Sequence, residues 1–269
     1  MDKGSPAAVA SLGMPTFDDP LKHRQWAKEH MALAFRYLGR EGYGKEGVAG
    51  HISLRDPVKP DHFWLNPLAK HFSQICVSDL VLVDHTGQIV EGEGGNNAPI
   101  NAAAFAIHSA IHAAQPDVIA ACHAHSIYGK AWATLGIELP ITTQDSCIFY
   151  KDQKVYDSFG GVVFQAEEGQ RIANALGDKR LLILQNHGLL TVGKTVDEAV
   201  FLFGAADRQC QAQLAADAAA AARGIKSIII DDEDAAYTHS QIGRSDVHYI
   251  QFSNEVKYLH ETTGGSYLQ

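Results

Sequence analysis

A chain of 269 residues, 46% hydrophobic and 20% charged, has the length of one large domain or two small ones. Its ordinary composition excludes a disordered, collagen-like or coiled-coil protein. The 22 Lys and Arg against 31 Asp and Glu leave a net charge of −9; with no basic run to offset it, nucleic acid is not an expected partner.

Residues 1–20 open with a small, polar stretch, 1–15, without the basic start and apolar block of a signal peptide. They read as a disordered tail, and 21–269 as a single domain with a C-terminal helical extension. No apolar run reaches the roughly 20 residues that span a bilayer, so no membrane partner is expected. Cys76, Cys122, Cys147 and Cys210 have no CxxC spacing and lie in apolar contexts; reduced thiols and a cytoplasmic location are expected.

In chain order, apolar residues Trp26, Leu33, Ala34 and Tyr37 predict an amphipathic helix over 21–38. Strands are predicted over 51–55, 62–65 and 80–83, with a turn at 84–87 and a hairpin partner at 88–90. Pro99 opens a helix running to about Ala114. A buried strand from Val118 runs into His123-Ala-His125, and Ser126 starts a helix reaching residue 135. Residues 161–165 read as a strand, 167–176 as a helix, and 181–184 as a strand that continues over 189–192. Thr195 caps a long helix to about Ala222, with Asp197 and Glu198 in its first turn, where the helix dipole favours acids. An acidic loop at 231–234 and a helix at 246–259 follow. Hairpins beside crossovers predict one α/β domain with a mixed sheet.

Fourteen histidines are an unusual number for this length, and three carry the main signal. Side chains at i and i+2 of a strand share a face, so His123 and His125 can ligate one metal. His187 ends a second apolar strand. Three nitrogens with open positions are the pattern of a catalytic metal rather than a structural one, and imidazole suits Zn or Fe better than Mg or Ca. The spacing alone also allows three unrelated histidines capping turns.

Five segments bear on that choice. They are Ala49-Gly-His-Ile-Ser-Leu-Arg55, Ser78-Asp-Leu-Val-Leu-Val-Asp84, Ala106-Ile-His-Ser-Ala-Ile-His112, Pro116-Asp-Val-Ile-Ala-Ala-Cys-His-Ala-His-Ser126 and Leu184-Gln-Asn-His-Gly-Leu-Leu-Thr-Val-Gly193. In this order, over about residues 22–222, they resemble the class II aldolase/adducin family. Within it, the adducin-like and fungal branch and the aminocoumarin-pathway iron oxygenases are more similar than the sugar-phosphate enzymes. The resemblance implies a three-layer α/β/α sandwich around a mixed, largely antiparallel sheet. It implies one divalent metal per chain on His123, His125 and His187, with zinc first and Fe(II) or manganese as alternatives. It also implies a homotetramer with active sites in subunit clefts, and structural roles for His108 and His112.

Departures from the family pattern narrow the chemistry. The acid/base Glu of the sugar-phosphate aldolases falls on Ala104, their phosphate-binding Gly-Asn pair is Gly50-His51, and their Thr-Pro-Ser-Gly loop is Asn66-Pro67-Leu68-Ala69. A phosphate needs several donors, so a non-phosphorylated substrate is expected. His51, Arg55 and Lys70 are candidates to hold its carboxylate, with Ser53 and Asn66 beside them. For proton transfer the candidates are His51, whose ordinary pKa suits neutral pH, and Asp145 and Tyr150. The latter two follow Thr142-Thr143 in a segment resembling that of the ribulose-phosphate epimerases, a likeness that implies action across a subunit boundary. The expected function is a metal-dependent lyase on a carbonyl- or carboxylate-bearing small molecule, cleaving a C–C bond through a stabilised enediolate. The alternatives are a three-His Fe(II) oxygenase and a non-enzymatic adducin-like binding module.

Overall fold

The computed structural model describes residues 13–161 and 166–269. Helix α1 (Pro20–Arg40) begins where Asp19 accepts the Leu21 N–H and Pro20 occupies the first turn, both favourable at a helix start. Strands β1 (His51–Arg55), β2 (Phe63–Leu65) and β3 (Val81–Val83) form an antiparallel meander. Helix α2 (Ala102–Ala114) starts later than Pro99, because the Asn101 side chain accepts the Ala104 N–H at 3.2 Å. There follow β4 (Ala120–Ala124), α3 (Ile127–Ala133), β5 (Gln153–Tyr156), α4 (Ala166–Leu176), β6 (Leu181–Leu184), β7 (Gly188–Gly193) and α5 (Val196–Ala221). Helices α6 (Asp232–Ile242) and α7 (Ser245–Thr263) complete the chain.

The seven strands form one mixed sheet in the order β3-β2-β1-β4-β7-β6-β5. Every neighbouring pair is antiparallel except β5 and β6. Three expectations need correction. Residues 189–192 do not continue β6 but return beside it as β7, because Asn186 turns the chain with φ of 57°. The acidic stretch at 231–234 is no loop: Asp231 caps α6 through the Asp234 N–H, and the next acids fill its first turn. Strand β5 was not anticipated; its four residues have two buried ends and more exposed middle positions, too short a pattern to stand out. The strand expected at 161–165 falls on residues 162–165, outside the described residues. So do residues 1–12 of the expected tail; further along it, Phe17 stacks on His23 at 4.9 Å.

Alternation along the strands builds two cores. Ala120, Cys122, Ala124, Ile52, Leu54, Leu181 and Ile183 face the layer of α1, α3 and α5. Ala121, Leu182, Leu184, Leu190 and Val192 face α2 and α4. Helix α7 packs outside α1 and α5. It is fixed there by His248, fully buried, whose Nδ1 lies 3.1 Å from Glu198 Oε1; Arg180 also reaches Glu198 at 3.1 Å. Burying these charges is tolerable because each has a partner. All four cysteines are free. No helix among the described residues is long and apolar enough to cross a membrane.

The helices α2 and α4 approach closely at Gly169, where an added Cβ would sit 2.4 Å from the Ala106 carbonyl oxygen. Gly169→Val is therefore expected to force the two helices apart. Overpacking typically costs about 1–3 kcal/mol, so thermal unfolding should shift down by several degrees, at roughly 2–4 °C per kcal/mol for a chain of this order. An unchanged melting temperature would contradict the packing described.

Candidate metal centre

The three histidines are brought together by strand parity and register. On β4, Cys122 and Ala124 face one core and Ala121 the other, so His123 falls on the α2 side, and His125 follows just past the strand end. Strand β7 pairs with β4 through Ala124↔Leu189, which sets the β6–β7 turn, and with it His187, beside His125. The turn itself is held by His187 N–H donating to Leu184 O at 3.0 Å and Asn186 N–H donating to Ala133 O at 3.1 Å. Ring centroids are 4.8 Å apart for His123–His187 and His125–His187 and 5.1 Å for His123–His125. One nitrogen from each ring lies within 4.8 Å of the other two.

Electrostatics suit these rings to a metal. Burial lowers the pKa of all three, that of His187 to about 4 and that of His123 well below the usual range, with neighbouring imidazoles adding to the effect for these two. Neutral imidazole is the ligating form. His123 Nδ1 donates to Leu189 O at 2.8 Å, which leaves Nε2 with its lone pair toward the cluster, the usual outer contact of a metal-binding histidine. The Nε2 atoms of His125 and His187 are 2.9 Å apart. The donor set therefore fits a divalent ion of the zinc or ferrous type.

These rings line a cavity of about 360 Å³. Its other walls are Ala49 and Gly50 ahead of β1, Asn101, Ala103, Ala104 and Ile107 of α2, Lys130 of α3, Asn186, and Phe159 with Gly161. No carboxylate lines it among the described residues. A larger concavity of about 920 Å³ lies along α2, bordered by Arg55, Phe63, His85, Ser109 and His112. Among the described residues it has no group of ligating side chains comparable with the three histidines.

The other sequence-predicted residues do not line the histidine cavity. His51 pairs with His123 in the sheet register but is fully buried. Its ring meets His108 edge-on at 4.7 Å, and burial lowers its pKa to about 3. Ser53 is buried and bridges His108 Nδ1 at 2.7 Å and His112 Nε2 at 2.8 Å. His112 Nδ1 donates to Val118 O, so the Ser53 hydroxyl donates to Nε2 and accepts from His108. These contacts tie α2 to β1. Arg55 donates to the carbonyls of Pro60, His112 and Val118. Asn66 is buried, and Lys70 pairs with Asp79 at 2.6 Å. Asp145 is exposed and Tyr150 half-exposed at the two ends of a short 3-10 turn, with Tyr150 near His239 of α6. Sequence reasoning passed over Lys130, Phe159 and the apolar wall of α2. Lys130 lies on the helix that starts right after His125, a placement that becomes informative only once the cavity is seen.

Comparisons with known proteins accord with this geometry. The family described as Class II Aldolase and Adducin N-terminal domain matches residues 29–214. The Meiotically up-regulated gene 14 protein of Schizosaccharomyces pombe is 45% identical over 77% of this chain and 79% of its own length. A Streptomyces roseochromogenus protein named 4-hydroxy-3-prenylphenylpyruvate oxygenase/4-hydroxy-3-prenylbenzoate synthase is 41% identical over 93% of this chain and 86% of its own. A structure titled L-fuculose 1-phosphate aldolase from Glaciozyma antarctica PI12 is 42% identical, covers 97% of this chain and 99% of its own, and superposes with a TM-score of 0.88. The chain belongs to the class II aldolase and adducin N-terminal domain family.

Proposed function

We propose that this protein is a divalent-metal-dependent enzyme that cleaves a C–C bond in a non-phosphorylated oxo acid or related carbonyl compound, as an aldolase- or decarboxylase-type lyase. The observation that carries the reading is the convergence of three neutral imidazoles on a cavity whose facing wall is apolar: Ala103, Ala104 and Ile107. A divalent metal held by His123, His125 and His187, zinc in the first instance, would supply Lewis acidity toward a substrate carbonyl oxygen. The chain's own groups do the rest. The Leu189 carbonyl fixes the His123 ring, Asn186 shapes the His187 turn, and Ala104, Ile107 and Phe159 receive an apolar substrate body and keep water from it.

Neither the phosphate donors nor the acid/base Glu of the sugar-phosphate aldolases has a counterpart among the described lining residues. Alanine at 104 transfers no proton, and His51 is sealed from the cavity. Asp145 and Tyr150 flank a turn whose middle, Ser146 to Phe149, is buried, and we assign proton transfer to this pair acting from a neighbouring copy in a homotetramer. Exposed apolar residues including Ile127, Leu135, Ile137 and Ile228 support such an assembly, since apolar surface of this kind is commonly covered by a partner. Light scattering at micromolar concentration should give about four chain masses, and a monomer would reject the shared site.

A second reading is an Fe(II) oxygenase on the same three histidines. It is favoured by the absence of a carboxylate among the described lining residues, which leaves coordination positions free, and by the printed name of the Streptomyces relative.

Two measurements test the proposal. Elemental analysis of protein purified without chelator should find about one divalent ion per chain, lost on His123→Ala or His187→Ala without loss of the fold, because a chain this long keeps its own core. Protein that stays metal-free in excess Zn, Mn and Fe(II) overturns the reading. The loaded enzyme should convert an oxo acid such as phenylpyruvate equally with and without dioxygen, and leave L-fuculose 1-phosphate untouched. Turnover that requires dioxygen selects the oxygenase; turnover of the sugar phosphate restores a phosphate-type aldolase.

A further inference from the structure

The cavity has one charged wall. Among the described residues, Lys130 is the only cationic side chain that lines it, and no Asp or Glu does. Arg55 and Lys70 are engaged outside it, by backbone carbonyls and by Asp79. Lys130 lies five residues beyond His125, one turn into α3, with its backbone N–H on Ser126 O. The strand end and helix start thus hold an ammonium and the histidine cluster on a single rigid segment.

That ammonium already carries a carboxylate. Lys130 Nζ donates to Glu46 Oε1 at 2.8 Å, and the pairing holds the Glu46 carboxyl below its usual range. Both side chains are well exposed, 37% and 45%, so the pair is a weak one that solvent and salt screen. Glu46 sits in a glycine-rich segment where Gly42, Gly47 and Gly50 all have positive φ. An added Cβ at Gly47 would meet nothing within 4 Å, so glycine is there for backbone freedom rather than for close packing. Gly44 and Gly50 pack on Phe72 and hold the ends of the segment, while the exposed Glu46 side chain beside Gly47 can rotate toward solvent without moving them.

We propose that Lys130 binds the carboxylate of the substrate and that Glu46 is a built-in competitor, occupying the ammonium until a substrate carboxylate displaces it. The proposal deepens the functional reading above and rests on it for the location of the substrate. It makes the ligand a monoanion with an apolar body: its charge at Lys130 on the rim, its body along Ala103, Ala104 and Ile107, and its reacting carbonyl toward the histidines. Among the described lining residues a dianionic phosphate would find one lysine and no hydroxyl side chain, a poor match for its several acceptor oxygens.

The test is a titration of full-length, zinc-loaded protein with phenylpyruvate and with its neutral amide, by calorimetry. Wild type should bind the acid more tightly than the amide. Lys130→Met should weaken the acid by about ten- to a hundredfold, the loss of one charge-assisted bond, and leave the amide nearly unchanged. Lys130→Arg should keep most of the preference, and Glu46→Gln should tighten the acid by about two- to fivefold. An acid-to-amide ratio unchanged in Lys130→Met overturns the anchor. Weaker or equal acid binding in Glu46→Gln overturns the competitor. A wild type that binds neither compound overturns both. Zinc content measured on each sample, with the same titrations repeated on chelated protein, separates these results from failure of the metal reading.

Discussion

The structure depends on the register of β4 between β1 and β7. Every second residue of β4 faces the larger core, where Ala120, Cys122 and Ala124 pack; the residues between them face α2. A one-residue slip of this strand would move His123 into the apolar layer and Cys122 into the site. The register is held from both sides, His51↔His123 on one edge and His123↔Leu190 on the other. Both faces of β4 are buried, so it is the pairing with β1 and β7 that fixes which side His123 takes and where His125 emerges.

Behind the site, a second group of histidines stabilises the α2 layer. His108 and His112 sit one helical turn apart and both bond to the Ser53 hydroxyl. The buried Ser53 hydroxyl has its donor and acceptor both matched, as are both nitrogens of His112, whereas His108 Nε2 and the two ring nitrogens of His51 have no partner among the described residues. The outer histidines bind helix to sheet; the inner three are kept neutral by burial, to which neighbouring imidazoles add at His123 and His187. This division explains how so many histidines coexist in one domain.

Much of this was legible in sequence. The HxH pair at a strand end, the Asn-His-Gly turn and the Thr195 cap each carry a local chemical reason, and the Thr195 hydroxyl does accept the Glu198 N–H at 3.1 Å. Less legible were features set by tertiary contact. Nothing in Gln153-Lys-Val-Tyr156 announces a strand until Leu181 lies parallel to Gln153. The placement of His51 turned on α2 covering β1, and Arg55 was drawn away by carbonyls of Val118 and His112, distant in sequence. Lys130 was overlooked because a lone lysine on a short helix carries no signal by itself. Its meaning comes from the cavity that α2, the glycine-rich segment and the β6–β7 turn close around it.

The account's central claim is that the three histidines are a metal site with no protein carboxylate among its ligands. The most direct measurement is a crystal structure of zinc-loaded protein with anomalous diffraction data collected at the zinc edge. The account predicts a single strong anomalous peak per chain, bounded by Nε2 of His123, His125 and His187, with Ala104 across from it and open positions toward the cavity. A peak bound elsewhere, a carboxylate completing the ligand set, or no peak at all would contradict it.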